Sequence, residues 1–155
     1  MDLFLLRHGC AEPSASRDRD RRLTAEGREE LQRVLTAGSE SLAAITKVLV
    51  SPYVRTQQSS EVAMQFLPHL TQQSRQTAEF LTPGSSPQRV MEWLQAQPEN
   101  AAVLLVTHQP LVGTLLDELC GFEAGRYRMG TAALAYLHLP VVGRGQADLV
   151  WLKHP

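Results

Sequence analysis

The sequence predicts an α/β fold: a three-layer sandwich with a mostly parallel, mixed sheet, helices on both faces and a C-terminal β-hairpin. Short apolar runs of strand length alternate along most of the chain with longer stretches that repeat apolar residues at helical spacing. Strands that alternate with helices form parallel sheets, and the helices cover both faces. Near the C-terminus two strand-like runs follow one another directly, which predicts a hairpin and therefore a mixed sheet.

The predicted parallel strands are four apolar runs, of which the third is weaker: residues 3–6, 48–50, 77–81 and 102–106. The hairpin is predicted from residues 131–139 and 148–153, which a short segment containing Gly143 and Gly145 connects. The chain has 155 residues, near the commonest size of one domain, and it contains no internal repeat. We therefore predict a single domain over residues 1–155.

The predicted helices lie between these runs, and each has an apolar face. The four faces contain Leu31, Val34 and Leu35; Val62, Ala63, Phe66 and Leu67; Val90, Met91 and Leu94; and Leu111, Val112, Leu115, Leu116 and Leu119. Thr24 is predicted to cap the first helix, after a polar surface loop over residues 14–22. Ser51 and Pro52 suit the cap and first position of the second helix, which places Arg55 in its first turn. Pro110 predicts the start of the fourth helix.

The overall charge excludes several classes of partner. Fifteen Lys and Arg residues against sixteen Asp and Glu residues give a net charge of −1, so the whole molecule has no electrostatic reason to bind nucleic acid or an anionic membrane. The apolar runs are too short to span a bilayer, and no leader pattern opens the chain, so we expect a cytoplasmic protein. Cys10 and Cys120 lack the spacing of a disulfide framework or a metal site. We expect no metal and no cofactor.

Arginine and histidine residues stand where three of the predicted parallel strands end. Arg7 and His8 follow the first strand, Arg55 follows the second, and His108 follows the fourth. Ligands of open α/β sheets bind outside these carboxyl ends. Such a group of cations is unfavourable unless an anion lies among them, and the planar guanidinium group matches phosphate oxygens. The sequence therefore predicts a site for a phosphoryl group.

The histidines add a chemical function to this site. Nearby arginines lower the pKa of an imidazole, so at least one histidine should be neutral at pH 7 and have a free lone pair. A neutral imidazole beside a phosphoryl group is a nucleophile, and its attack gives a phosphohistidine enzyme that water hydrolyses. The arginines would stabilise the phosphoryl oxygens, which predicts a reaction independent of metal ions.

Four segments in order resemble the motifs of the histidine phosphatase superfamily, the phosphoglycerate mutase-like proteins: residues 6–9 (LRHG), 23–27 (LTAEG), 50–58 (VSPYVRTQQ) and 107–113 (THQPLVG). The resemblance covers nearly the whole chain and implies one phosphatase domain. By length and by residues 79–83, the chain is most similar to the small phosphohistidine phosphatases of that superfamily. The resemblance implies that His8 is the nucleophile and that Arg7, Arg55 and His108 bind the phosphoryl group.

The resemblance also implies two further site residues. A phosphate-binding arginine is expected just before the Leu-Thr pair, and the spacing favours Arg21 over Arg22. Glu79 is the nearest match to the general acid of larger family members. Cys10 stands where the family often has an acidic residue, and Ser59 stands where a threonine is common.

We therefore expect a metal-independent phosphatase that acts in signal transduction. Its partner would be a phosphohistidine-bearing protein such as a phosphotransfer domain, and we expect the enzyme to be a monomer. Between Glu79 and the helix near Val90 there is no room for a large lid, which favours a phosphorylated side chain on a folded protein as substrate. The alternatives are a small-molecule phosphomonoesterase and a non-catalytic phosphoprotein-binding module, which would need the arginines but not His8.

Overall fold

A mixed six-stranded sheet lies at the centre of the computed structural model, which describes residues 1–155. Its strands are β1 (Asp2–Arg7), β2 (Lys47–Val50), β3 (Arg75–Thr77), β4 (Ala102–Thr107), β5 (Leu134–His138) and β6 (Asp148–Lys153). The spatial order is β3-β2-β4-β1-β5-β6. The first four strands are parallel, whereas β5 is antiparallel to β1 and β6 is antiparallel to β5. The predicted mixed sheet and C-terminal hairpin are confirmed.

Two helices cover each face of the sheet. They are α1 (Ala25–Leu42), α2 (Val54–Met64), α3 (Pro87–Gln95) and α4 (Leu111–Cys120). Leu3 and Leu5 of β1 point into the core beneath α3 and α4, while Phe4 and Leu6 point into the core beneath α1 and α2. This alternation buries both faces of β1, as the three-layer prediction requires. No helix has the length and apolar character needed to cross a membrane.

Two strand predictions were wrong in their bounds. The third strand is the polar segment Arg75–Thr77, and the apolar residues after it form a 3-10 turn, Glu79–Leu81. Leu81 is fully buried by this turn rather than by strand pairing, and its carbonyl accepts a hydrogen bond from Thr107 Oγ1 at 2.7 Å. The fifth strand starts at Leu134 instead of residue 131, because Ala132 has a positive φ of 58° that interrupts extended structure.

The predicted helix starts were partly right. Thr24 caps α1 by accepting a hydrogen bond from Gly27 N at 3.0 Å, and α4 follows Pro110 as predicted. The second helix begins at Val54 and not at Pro52, although Arg55 does lie in its first turn. Ser51 does not cap the helix because its Oγ forms a hydrogen bond with His108 Nε2, at 2.7 Å.

Candidate active site

The carboxyl ends of β1, β4 and β2 lie side by side at one edge of the sheet. Arg7 is in register with Thr107, and Val50 is in register with Val106, so the three strands end at one level. Arg7 is the last residue of β1, His108 directly follows β4, and Arg55 lies in the first turn of the helix that follows β2. The sheet therefore brings together side chains that are distant in the sequence.

His8 lies at the centre of this cluster. Its side chain is buried, and Nδ1 lies 2.7 Å from the carbonyl oxygen of Gly9. A carbonyl can only accept a hydrogen bond, so Nδ1 carries the proton and Nε2 carries the lone pair. Arg55 Nε donates to this Nε2 at 3.3 Å. The arrangement presents Nε2 as a nucleophile.

The surroundings of His8 keep its imidazole neutral. Burial, followed by repulsion from Arg55, Arg7 and Arg21, lowers the pKa of His8 to about 4, although the hydrogen bond to Gly9 acts in the opposite direction. At pH 7 the ring is therefore uncharged. An uncharged imidazole has the lone pair that attack on phosphorus requires.

Arg55 is held in place beside His8 by the loop between β1 and α1. Its buried guanidinium group donates from Nη1 to the carbonyl oxygen of Asp18 at 2.8 Å and from Nη2 to Asp18 Oδ2 at 3.1 Å. The cation also lies 5.0 Å from the centre of the Tyr53 ring. Because one edge binds Asp18 and Nε faces His8, the plane of the guanidinium group is fixed next to the His8 ring.

Asp18 joins Arg55 to a second predicted phosphate ligand, Arg21. Arg21 donates from Nη1 to Asp18 Oδ1 at 3.0 Å and from Nε to the carbonyl oxygen of Glu12 at 2.6 Å. The hydrogen bond from Arg21, and then that from Arg55, lowers the pKa of Asp18. Arg22 is exposed, and its side chain makes no hydrogen bond. The polar segment is a surface loop as predicted, and Asp18 and Arg21 connect it to Arg55.

Replacing Asp18 with asparagine should lower kcat about tenfold, since the neutral amide cannot hold two guanidinium groups as the carboxylate does. KM should change less, because the loss of a negative charge near the phosphoryl group offsets the poorer orientation of the arginines. Steady-state kinetics on a phosphorylated substrate measure both constants. Asp20→Asn is the matched control, as Asp20 lies in the same loop and pairs with Arg17 at 2.7 Å. Equal effects of the two substitutions would contradict the assigned role of Asp18.

Arg7 is anchored by the segment that precedes β5. Its Nη1 donates to the carbonyl oxygen of Met129 at 2.9 Å, whereas its Nε is buried and has no hydrogen-bond partner. Burial, with a contribution from Arg55, lowers the pKa of Arg7. The same segment also binds the residue after Arg7, because the backbone N–H of Ala132 donates to the carbonyl oxygen of His8 at 2.9 Å.

His108 faces His8 across the cluster, with ring centres 5.2 Å apart. Its Nε2 forms the hydrogen bond with Ser51 Oγ, and its Nδ1 is buried without a partner. The Tyr53 ring packs edge-on against the imidazole at 4.9 Å. Burial, followed by repulsion from His8 and Arg55, lowers the pKa of His108 to about 2. When the Ser51 hydroxyl donates to Nε2, the proton resides on Nδ1, which can then donate to an oxyanion.

Two buried nitrogens, Arg7 Nε and His108 Nδ1, are the only buried side-chain nitrogen or oxygen atoms without a hydrogen-bond partner. Leaving such an atom unpaired costs on the order of 1–3 kcal/mol. Both belong to the cluster around His8, so the unpaired polar atoms of the protein are concentrated here. Donors of this kind beside arginines suit an anion with several oxygens, such as a phosphoryl group.

The neutral histidines predict a loss of stability in mild acid. Both pKa values lie below the 6.5 of an ordinary histidine, so the unfolded chain binds more protons than the folded protein below pH 6.5. Each histidine should therefore lower the free energy of unfolding by about 2 kcal/mol between pH 7 and pH 5. Urea denaturation at the two pH values measures this loss. His108→Gln should show a smaller loss than the wild type, and an unchanged loss would contradict the assignment.

The loop that carries His8 is fixed by close packing on α1 and α2. Gly9 N donates to Ser59 Oγ at 3.1 Å, and Ser59 Oγ donates to the carbonyl oxygen of Arg55 at 2.7 Å. A Cβ atom on Gly9 would lie 2.6 Å from the carbonyl oxygen of Gly27, so the two backbones approach too closely for any larger residue. Serine at position 59 thus links the nucleophile loop to the helix that carries Arg55.

The Glu79 side chain forms no hydrogen bond with any residue of this cluster. It is exposed on the turn after β3, and its side chain makes no hydrogen bond or ion pair. Residues 82–86 alone separate this turn from α3, which leaves no lid. None of the cavities in the structure is lined by Arg7, His8, Arg55 or His108.

The positive charge of the site comes from arginine. Arg7, Arg21 and Arg55 all act on His8. The structure contains no group of three or more His, Cys, Asp and Glu residues arranged to hold a metal ion. The candidate cradle for an oxyanion therefore consists of guanidinium groups and His108.

Sequence reasoning missed three residues of the site: Asp18, Ser51 and Tyr53. Asp18 alternates with arginines in the run from Arg17 to Arg22, which resembles an ordinary solvated charge cluster. Ser51 was assigned to a helix cap, and Tyr53 had no charge to mark it. The only available signal was that Ser51 and Tyr53 lie within the segment that contains Arg55.

Comparison with known proteins agrees with this geometry. The sequence model of the histidine phosphatase superfamily (branch 1) matches residues 3–81, which include Arg7, His8, Arg21 and Arg55. The chain belongs to the histidine phosphatase superfamily. Within this superfamily, it is 34% identical to the phosphohistidine phosphatase SixA of Escherichia coli (strain K12), over the whole of this chain and 94% of that protein.

A further relative and a solved structure are also similar to this chain. A SixA homolog of Haemophilus influenzae is 32% identical over 131 residues, which cover 78% of each chain. A solved structure of the protein histidine phosphatase SixA, complexed with tungstate, superimposes with a TM-score of 0.88 at 33% identity and covers 100% of this chain and 97% of its own. The fold predicted from the sequence is thus the fold of this superfamily.

Proposed function

We propose that this protein is a metal-independent phosphatase that removes the phosphoryl group from phosphohistidine on another protein, with His8 as the nucleophile. The observation that carries the proposal is the buried, neutral His8, whose Nε2 lone pair lies against Arg55 Nε at 3.3 Å. The names of the similar SixA proteins support the substrate, and the tungstate complex supports an oxyanion site.

The proposed reaction has two steps. Nε2 of His8 attacks phosphorus, and the bond from phosphorus to the substrate imidazole breaks. The substrate ring, protonated by solvent on its other nitrogen, leaves as neutral imidazole. Water then attacks the phosphoryl group on His8, the P–N bond breaks, and inorganic phosphate and a proton are released. Arg7, Arg21, Arg55 and His108 stabilise the phosphoryl oxygens in both steps.

The short connection between the turn at Glu79–Leu81 and α3, which leaves no lid, supports a protein as substrate. A phosphorylated side chain on a folded surface can reach His8 without the opening of a lid, whereas small metabolites usually bind in enclosed pockets. All residues of the cluster come from one chain, so the proposed reaction needs no second copy of the protein. Neutral His8 also argues against a non-catalytic binding module, which needs only the arginines.

The test compares two substrates, a phosphohistidine protein and a general aryl phosphate, in the presence of EDTA. We expect faster turnover of the phosphohistidine protein and no loss of activity on chelation, since arginines supply the positive charge. Faster turnover of the aryl ester would favour the small-molecule phosphomonoesterase instead. Loss of activity that magnesium or zinc restores would contradict the arginine cradle.

Replacing Glu79 with glutamine should lower activity on phosphohistidine less than about threefold, because neutral imidazole is a good leaving group. Any activity on alkyl phosphate esters should fall further, since a strongly basic alkoxide needs a proton donor. Rates on both substrates measure the difference, and Glu92→Gln, an exposed glutamate on α3, is the matched control. Equal loss on both substrates would show that a general acid is essential and would favour the phosphomonoesterase.

A further inference from the structure

Exposed arginines without carboxylate partners lie on the two loops that bind Arg55 and Arg7. The loop of residues 11–22 contributes Arg19 and Arg22, and the loop of residues 121–130 contributes Arg126 and Arg128. None of these four side chains forms an ion pair, whereas Arg17 and Arg144 of the same region do. Their charges are therefore available to a partner.

The first loop is fixed to the site through Asp18, as described above. Next to Asp18, the Arg19 cation lies 5.7 Å from the centre of the Tyr53 ring. The same ring contacts His108 and the cation of Arg55. The Tyr53 ring therefore lies between Arg19 and the two site residues His108 and Arg55.

The second loop is fixed by a buried carboxylate. Asp117 is 1% exposed and accepts hydrogen bonds from three successive backbone N–H groups, those of Gly125, Arg126 and Tyr127, at 2.7 to 3.1 Å. Farther along the loop, the carbonyl oxygen of Met129 binds Arg7. Arg128 directly precedes Met129, so it leaves the backbone beside a ligand of the phosphoryl site.

The charges of the protein are divided unevenly between this edge and the rest. The two loops, with Arg7 and Arg55, hold eight of the fifteen cationic residues and four of the sixteen acidic ones, a net charge of +4. The remaining seven cations and twelve acids give −5. A bound phosphoryl group carries about −2 and neutralises only half of the positive charge.

We infer that Arg19, Arg22, Arg126 and Arg128 form a docking surface for acidic side chains that flank the phosphohistidine of the partner protein. The inference rests on the proposed function. Loops held by Asp18 and Asp117 keep the arginines in place before binding, which reduces the entropy lost on association. A compact acidic surface fits better than nucleic acid, because the negative remainder of the molecule repels a polyanion that extends beyond the site.

The experiment uses two peptides that contain one histidine, phosphorylated chemically with phosphoramidate. In one peptide glutamates flank the phosphohistidine, and in the other glutamines replace them. For the wild type at low ionic strength, we expect kcat/KM to be roughly tenfold higher for the glutamate peptide, with the ratio falling as salt is added. Arg19→Glu/Arg128→Glu should abolish the preference, and it should lower the rate on the glutamine peptide much less than the rate on the glutamate peptide. Arg33→Glu/Arg89→Glu, which alters exposed arginines on α1 and α3 by the same charge, should keep the preference.

The outcomes separate the docking surface from the proposed function. Equal rates of the wild type on both peptides would overturn the docking surface while the phosphatase stands. If neither peptide is hydrolysed, fluorescence anisotropy measures the binding of the same peptides to the wild type and to Arg19→Glu/Arg128→Glu. Tighter binding of the glutamate peptide by the wild type, lost in the variant, supports the docking surface. Equal binding of the two peptides by the wild type overturns it. Tighter binding of a duplex DNA oligomer than of the glutamate peptide would assign the arginines to nucleic acid instead.

Discussion

Replacing His8 with alanine should reduce turnover by at least about 10³-fold and leave the fold intact. The covalent route depends on Nε2, whereas the side chain forms hydrogen bonds only with Gly9 and Arg55 in the folded protein. His8 belongs to neither hydrophobic core cluster, so the free energy of unfolding should change little. Steady-state kinetics and urea denaturation on the same preparation measure both quantities.

A rapid-quench experiment tests the covalent intermediate directly. The wild type, mixed with a radiolabelled phosphohistidine substrate, should form a phosphoenzyme that is labile in acid and stable in base, as a phosphoramidate is. The alanine variant should form none, while His154→Ala, which alters an exposed histidine, should behave as the wild type does. An acid-stable adduct, or retention of most activity by the alanine variant, would contradict His8 as the nucleophile.

Replacing Arg55 with alanine should lower kcat about 10³-fold, since one guanidinium group orients Nε2 and stabilises the phosphoryl oxygens. Arg55→Lys should recover little, because an ammonium group cannot bind Asp18 through two nitrogens while a third faces His8. The loss of a cation beside His8 should also raise the pKa of its imidazole from about 4, which NMR titration measures.

The matched control is Arg75→Ala. Arg75 binds Ser60 and Gln57 of α2 at 2.7 Å and 2.5 Å, so it anchors the same helix without touching the nucleophile. Its loss should cost less than about threefold in kcat. Full activity of Arg55→Lys, or similar losses for Arg55→Ala and Arg75→Ala, would show that position 55 acts only through packing.

The sequence predicted the catalytic candidates because each lies directly after a strand or in the first turn of the helix that follows it. Arg7, His8 and His108 follow apolar runs, and Arg55 follows Ser51 and Pro52 within a few residues. Parallel strands end at one edge, so local patterns are sufficient to place these side chains together. The same reasoning failed at Glu79, where an apolar run that resembled a strand is a turn.

Only the tertiary structure decided how these side chains are held and what else surrounds them. The contact of Asp18 with Arg55 joins residues 37 positions apart, and that of Met129 with Arg7 spans 122 positions. Such contacts depend on how the loops fold back over the sheet, and no short-range pattern of hydrophobicity or turn residues encodes that path. The sequence by itself determined the order of strands and helices along the chain, the candidate nucleophile and the expectation of an anion. The packing of two loops decided the orientation of Arg55 and the positions of Arg19 and Arg128, because each depends on partners that come together only in the folded chain.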